Sequence, residues 1–249
     1  MSTLTVAAIR FTDGIPPMKG FLETLGLSTA IEGERGGWVD LRAGAGRVWL
    51  HSAADSDIGA NQGQTGLSLE SSDVAALTER LVAAGHQAAY VDESYGRSMT
   101  VVDPLGDTFL VNEHSDDTYG FVASTPAPDS RLIVSPVRFT DPQGPYAAFL
   151  LDLGLQLKGS ADEWYAGYDS GDGLVGLHHD DGEAPIVPGP GAAVHLTFGT
   201  TEDLDALASR LREAGYGDAQ VQRDEFVSYV EVTDPDGQPV QIHASKPVE

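Results

Sequence analysis

The sequence contains no cysteine, which excludes disulfides, thiolate-ligated zinc and a thiol nucleophile. Basic residues are scarce as well. Only 14 Lys and Arg stand against 38 Asp and Glu, a formal net charge of -24. So acidic a surface repels phosphate backbones and anionic lipid, so neither nucleic acid nor a membrane is an expected partner. No stretch approaches the roughly 20 apolar residues that span a bilayer. The opening residues Met1 to Val6 have neither the basic nor the apolar region of a secretion signal, so a cytoplasmic location is expected. Nucleotide-binding and hydrolase signatures are missing too. Gly44-Ala45-Gly46 reads as a hairpin turn, because it lacks the strand-GxGxxG-helix context.

What is there is a repeat. Ile9-Arg10-Phe11-Thr12-Asp13 recurs as Val137-Arg138-Phe139-Thr140-Asp141. Phe21 to Leu27 recurs as Phe149 to Leu155, and Val48-Trp49-Leu50-His51 as Val175-Gly176-Leu177-His178. Leu77, Leu81 and Gly85 recur as Leu207, Leu211 and Gly215, and Asp103-Pro104-Leu105-Gly106 as Asp234-Pro235-Asp236-Gly237. Order is kept and spacing drifts by a few residues, as in a duplication. The copies occupy residues 1–122 and 131–249, joined by a polar linker at 123–130.

Within one copy, Thr5 to Thr12 alternates as a strand. Pro16-Pro17 suits a first helical turn, and Gly26 suits a helix end. Trp38–Leu41 and Arg47–Ser52 read as strands. Thr65–Glu70 is another, and Ser72 is the expected N-cap of a helix with apolar Val74, Leu77, Leu81 and Ala84. Ala88–Val91, Ser98–Val102 and Thr108–Asn112 are short strands, the last two joined by the Asp103–Gly106 turn. The pattern is βαβββ, twice per copy. Each unit has one helix for one sheet face, and the other face is left for a second unit to cover.

These motifs resemble the vicinal-oxygen-chelate superfamily of glyoxalases, bleomycin-resistance proteins and extradiol dioxygenases. Arg10-Phe11-Thr12-Asp13 with Phe21 to Leu27 is similar to its first strand and helix end. Leu67-Ser68-Leu69 with Asp73 to Gly85 is similar to its second unit, and Tyr95-Gly96-Arg97 with Asp103 to Asp107 to its closing hairpin. The resemblance implies an α+β fold, four βαβββ modules paired into two incomplete-barrel domains, each around a cavity. Active members hold a divalent metal there as a Lewis acid, and antibiotic-binding members use the cavity without one.

The resemblance also implies where metal ligands would stand. Counting seven residues back from the aspartate after strand one gives Val6 and Val134, which cannot coordinate. The second position is Gly66 in copy one and His195 in copy two. The last, seven after the turn aspartate, is Leu110 and Gln241, and the remaining one falls near Trp49 and Gly176. Copy one keeps no ligand. Copy two keeps His195 and Gln241, and alternation adds His178 and His243 to the same face. These four form the candidate metal set. No resident cofactor is expected; the alternative is Fe, Mn, Ni or Zn in the second copy.

Candidate ligand-binding residues are Trp49, His51, Arg10, Trp164, His178, Arg138 and Tyr229. Aromatic rings suit a flat organic ligand, histidines titrate near neutrality, and arginines bind carboxylates or enolates. Each has a plainer reading. His51 and His178 repeat as strand-end histidines bonded to backbone, Arg10 and Arg138 as structural salt bridges, and Trp38 and Trp164 as equivalent structural aromatics. The expected function is binding of a small, aromatic organic molecule by a monomer or homodimer, as in antibiotic or natural-product resistance. The alternative is a metal-dependent glyoxalase- or dioxygenase-like enzyme with its site in the second domain.

Overall fold

Alternation decides the strands. Along Leu4–Phe11 every second side chain enters a helix-covered core, and the intervening Thr5, Ala7 and Ile9 point to the opposite face. The structure, a computed structural model, describes residues 3–33, 35–93, 96–115, the backbone of 122–123, and 127–245. Tyr95 and residues 124–126 of the expected linker lie outside these.

Four modules follow in chain order. The first is β1 (Leu4–Phe11), α1 (Ile15–Leu25), β2 (Ser28–Glu32), β3 (Trp38–Arg42) and β4 (Arg47–His51). The second is β5 (Thr65–Ser71), α2 (Val74–Ala83), β6 (Ala88–Glu93), β7 (Gly96–Val102) and β8 (Thr108–Glu113), followed by the short β9 (Val122–Ala123). The third is β10 (Leu132–Val134), β11 (Val137–Phe139), α3 (Pro145–Asp152), β12 (Gln156–Lys158), β13 (Tyr165–Asp169), β14 (Gly171–Asp172) and β15 (Leu174–His178). The fourth is β16 (Thr197–Thr200), α4 (Leu204–Glu213), β17 (Gln220–Arg223), β18 (Ser228–Thr233) and β19 (Pro239–Ala244). The fold is therefore α+β, four βαβββ modules in two halves, and its sheets stay open.

Local chemistry sets the boundaries. Pro16 and Pro17 occupy the first turn of α1, and Gly26 ends it at φ 115°, a left-handed conformation that glycine adopts without strain. The N-cap of α2 is Asp73, not Ser72. Its carboxylate accepts from the Ala76 amide at 2.9 Å, while the Ser72 hydroxyl takes the Thr3 amide. Asp203 caps α4 in the same way, accepting from Ala206 at 2.9 Å. β2 has no alternating pattern, and the sequence reading passes over it.

Within each half the second module joins the first at its edge rather than covering its open face. β1 pairs antiparallel with β5, so the first half forms one sheet in the order β6-β7-β8-β5-β1-β4-β3-β2-β9. In the second half the corresponding first strand is broken at Ser135-Pro136. β10 pairs with β16 and β11 with β15, and Val137 and His195 bridge the gap with two backbone hydrogen bonds.

The cores form across the halves. One joins Met18, Phe21, Leu22 and Leu25 of α1 to Leu204, Leu207 and Leu211 of α4, with Val39, Leu50, Phe198 and Ile242 beneath. The other joins Leu77 and Leu81 of α2 to Phe149 and Leu150 of α3. The first module thus packs on the fourth, and the second on the third. Two arginines tie the helices by the same device. Arg210 of α4 donates to the Thr24 carbonyl at 3.0 Å, and Arg80 of α2 to the Leu153 carbonyl at 2.7 Å, so each cation caps the C-terminus of a helix in the other half.

Candidate functional site

Strand register divides every side chain between two faces. In the first half Ile9, Trp49, Asp40 and Gly66 lie in one row, on the face away from the helices. The matching row of the second half is Val137, Gly176, Gly167 and His195. Positions two residues apart along each strand share that face, so the halves can be compared side chain by side chain.

In the first half this face is filled. Arg47 bridges Asp40 at 2.8 Å and Glu70 at 3.1 Å, His114 approaches Glu70 at 3.5 Å, and Trp49 lies buried as the register partner of Asp40. Ser98 donates to Asn112 at 2.9 Å beside them. Burial raises the carboxyl pKa of both Asp40 and Glu70, and Arg47 opposes the rise without cancelling it.

In the second half the equivalents of Asp40, Trp49 and Glu70 are Gly167, Gly176 and Gly199. Tyr165 lies over the first two, and the rest of the face is polar. Gln241 donates to Glu231 at 3.0 Å, and His243 approaches the Gln241 side-chain oxygen at 3.3 Å. Tyr229 stacks on His243 with centroids 5.1 Å apart and planes 29° from parallel. His195 donates from Nε2 to the Pro239 carbonyl at 2.9 Å, which leaves Nδ1 as its acceptor. Thr197 donates to the Ser135 carbonyl. Desolvation pushes the His195 pKa down to about 4, and lowers that of His243, where nearby His178 adds to the effect. Both rings are neutral at pH 7. An open depression of about 510 Å³ adjoins His243, walled by Phe226, Val227, Ser228 and Ser245.

The structure gathers Tyr229, His195, Gln241, His243 and, across the sheet, His178 on this one face. Trp49 and His51 lie in the other half. His51 and His178 are strand-end histidines in the same setting: each Nδ1 donates at 2.8 Å to the carbonyl of the next residue, and each ring tilts against a phenylalanine, Phe11 or Phe139. Trp164 is 57% exposed and packs edge-on against His179. The register partner of Trp38 is not Trp164 but Tyr165, since Trp38 faces His51 and Tyr165 faces His178.

Arg10 and Arg138 lie on the helix-side face and reach across the halves. Arg10 is 2% exposed, ion-paired with Asp234 and bonded to the Gly63 carbonyl. Arg138 pairs with Asp107 and, at 3.4 Å, with Asp103, and donates to the Ala193 carbonyl at 2.7 Å. Val6 and Val134 also face the cores, so the first position counted from the family pattern is off the open face, while Gly66, His195, Leu110 and Gln241 are on it.

Sequence reading missed Asp40, Arg47 and Glu70, and in the second half Glu231 and Thr197. The signal was available: Arg47, Trp49 and His51 alternate on one strand, and Glu231 shares the phase of Tyr229. Polar residues in phase with a named site residue belong to the same face.

The donor set does not fit a resident metal as it stands. Among the described residues no three His, Asp or Glu side chains approach closely enough to hold one. The Gln241 oxygen is also taken by His243, and the Glu231 carboxylate by Gln241.

Residues 125–242 match the model of the Glyoxalase/Bleomycin resistance protein/Dioxygenase superfamily. No curated protein matches the chain by sequence. The chain resembles the crystal structure of homoprotocatechuate 2,3-dioxygenase from Arthrobacter globiformis at 18% identity and TM-score 0.62, covering 98% of this chain and 80% of that one. It resembles the Mn(II)-bound glyoxalase from Novosphingobium aromaticivorans at 16% identity and TM-score 0.61, covering 98% and 83%. At such identities the likeness is one of fold. No helix among the described residues is long and apolar enough to cross a membrane. The family match thus covers the second half of the chain, whose module pattern the first half repeats.

Proposed function

We propose that the chain binds a small organic molecule on the open face of its second half, with no metal-centred step. One observation carries this reading. At three register-equivalent positions the first half places the side chains of Asp40, Trp49 and Glu70, and the second half places Gly167, Gly176 and Gly199, which contribute none, with Tyr165 lying over the first two. Around these positions stand neutral imidazoles, an amide, a carboxylate and a stacked tyrosine. A few directional polar groups beside aromatic and apolar surface are what a small-molecule site requires. An aromatic natural product or antibiotic, sequestered rather than transformed, suits that lining.

Thermal-shift screening against a library of aromatic natural products tests the reading, since a ligand of the native state must raise the melting temperature. Hits whose shift disappears in His243→Ala support it. A broad library with no hit counts against it.

A second reading has one observation in its favour. His195, Gln241, His243 and Glu231 share the open face, and the first two stand where the family resemblance puts ligands. A metal-dependent lyase, isomerase or dioxygenase would then have its site in this half. Elemental analysis decides between them: stoichiometric Fe, Mn, Ni or Zn, lost in His195→Ala, overturns the metal-free reading.

A further inference from the structure

We infer that the tip of the β17–β18 hairpin is a ligand clamp: an aromatic ammonium compound seats in the depression beside His243, and Phe226 closes on its ring. This rests on the small-molecule reading above and assigns the ligand a chemical class and a place within the face.

The β18–β19 ladder ends at the Tyr229–His243 pair, and beyond it the two chains part. The space they leave is the depression of about 510 Å³, with residues 224–228 on one wall and 243–245 on the other. His243 is its inner wall, and Tyr229 backs that wall by stacking on the imidazole. Ser245 Oγ lies 2.6 Å from where a Cβ on Gly199 would stand, so the depression opens onto the face already described.

Phe226 stands at the rim of this space. It is 85% exposed, more than any other large apolar side chain among the described residues, so its ring supports almost nothing in the fold. Polar residues and glycine are the usual choice at a hairpin tip. The tip nevertheless has a defined shape. The Asp224 carboxylate accepts from the amides of Phe226 and Val227, both at 2.7 Å, and the Asp224 amide donates to the Val227 carbonyl at 3.0 Å. β17 is the outermost strand of its sheet, so a tip that leans inward breaks no ladder on its outer side.

The lining sets the ligand's chemistry. Phe226 and Val227 offer apolar contact, and a flat ring fits between the phenylalanine and the imidazole. Asp224 and Glu225 put carboxylates on the same wall, and none of the described lining residues is basic. The adjoining Arg223 is committed to Asp205 at 2.7 Å. Burial, and then the charges of Glu231 and Asp224, raise the Tyr229 pKa, so both carboxylates act on the hydroxyl behind His243. An ammonium group on the ring answers these charges, and a carboxylate on it would be repelled.

A single exposed phenylalanine is also ordinary surface, and on that account its removal changes nothing. The probe is proflavine, a flat tricyclic cation, compared with anthracene carboxylate, a flat tricyclic anion. Fluorescence titration of the full chain at physiological salt screens the overall charge. Proflavine is expected to bind roughly tenfold or more tightly than the anion. Phe226→Ala is expected to weaken proflavine binding roughly tenfold with an unchanged urea midpoint. That variant keeps every charge, so non-specific attraction of the cation is not what it removes. Phe226→Tyr should bind as the native chain does. Asp224→Asn can still accept the two backbone bonds and should weaken binding roughly threefold through the lost charge. Undiminished binding by Phe226→Ala, equal or tighter binding of the anion, or binding of neither probe overturns the clamp. Self-association of the native chain that Phe226→Ala abolishes, read by sedimentation, would assign the ring to contact between copies and overturn it as well. Library hits lost in His243→Ala but kept in Phe226→Ala would overturn it too, while leaving small-molecule binding by this face intact.

Discussion

Arg10 and Asp234 form a buried ion pair that ties the first strand of the chain to its last hairpin turn, with neither side chain more than 2% exposed. The duplication repeats the contact: Arg138 meets Asp103 in the turn of the opposite half. Each arginine leaves Nε without a partner, and burial lowers the Arg10 pKa and raises that of Asp234. The pairs are costly in isolation and depend on both halves being docked.

Removing one partner should therefore cost far more than removing both. Arg10→Met strands the Asp234 carboxylate and is expected to destabilise by about 3–5 kcal/mol. The double variant Arg10→Met/Asp234→Leu should lose less than the sum of the singles, in a urea-unfolding cycle. Strict additivity would mean that the two side chains do not interact energetically.

Arg47 bridges Asp40 and Glu70 across the filled face of the first half. Arg47→Leu leaves two buried carboxyls facing each other, so a loss of about 3–5 kcal/mol is expected at pH 7. Acidification should recover part of it, because the remaining carboxyls can then protonate. A variant equally unstable at pH 5 and pH 7 would contradict this account.

His195 gives a pH dependence of defined sign. Its folded-state value of about 4 lies below the ordinary histidine value, so between the two the unfolded chain binds the proton and the native state does not. Stability from this group is full above the ordinary value and declines as pH falls toward 4. The loss from pH 7 to pH 5 is about 2 kcal/mol. Urea unfolding of the protein and of His195→Gln at both pH values measures it; the variant should show a fall smaller by that amount.

Asp73 and Asp203 cap α2 and α4 through the same bond, at 2.9 Å to the third residue on. Asp73→Ala and Asp203→Ala are each expected to lower stability by about 1 kcal/mol, while Ser72→Ala costs less. Chemical denaturation of the three variants ranks them. A larger loss from Ser72→Ala would return the cap to that residue.

What the sequence determined by itself is local or repeated. Alternation marks strands, Pro16-Pro17 and Gly26 bracket a helix, and the Asp-Pro-x-Gly turns recur, because each depends on neighbours within a few residues. That the counted positions hold Gly66 and Leu110 in the first copy but His195 and Gln241 in the second can be read from the repeat alone. Only the tertiary structure decided what depends on register and docking. Alternation sorts Arg10 from Ile9, but does not say which face a helix will cover, so Arg10 emerges in an interface and not in a cavity. Its partner Asp234 is 224 residues away, a pairing that no local signal announces. The match of Trp49 to Gly176 can be read from the repeat, but its meaning needs Asp40 against Gly167 and Glu70 against Gly199 in the same sheet face. Those rows exist only once the strands pair, because hydrogen-bond register, not sequence spacing, sets which side chains meet.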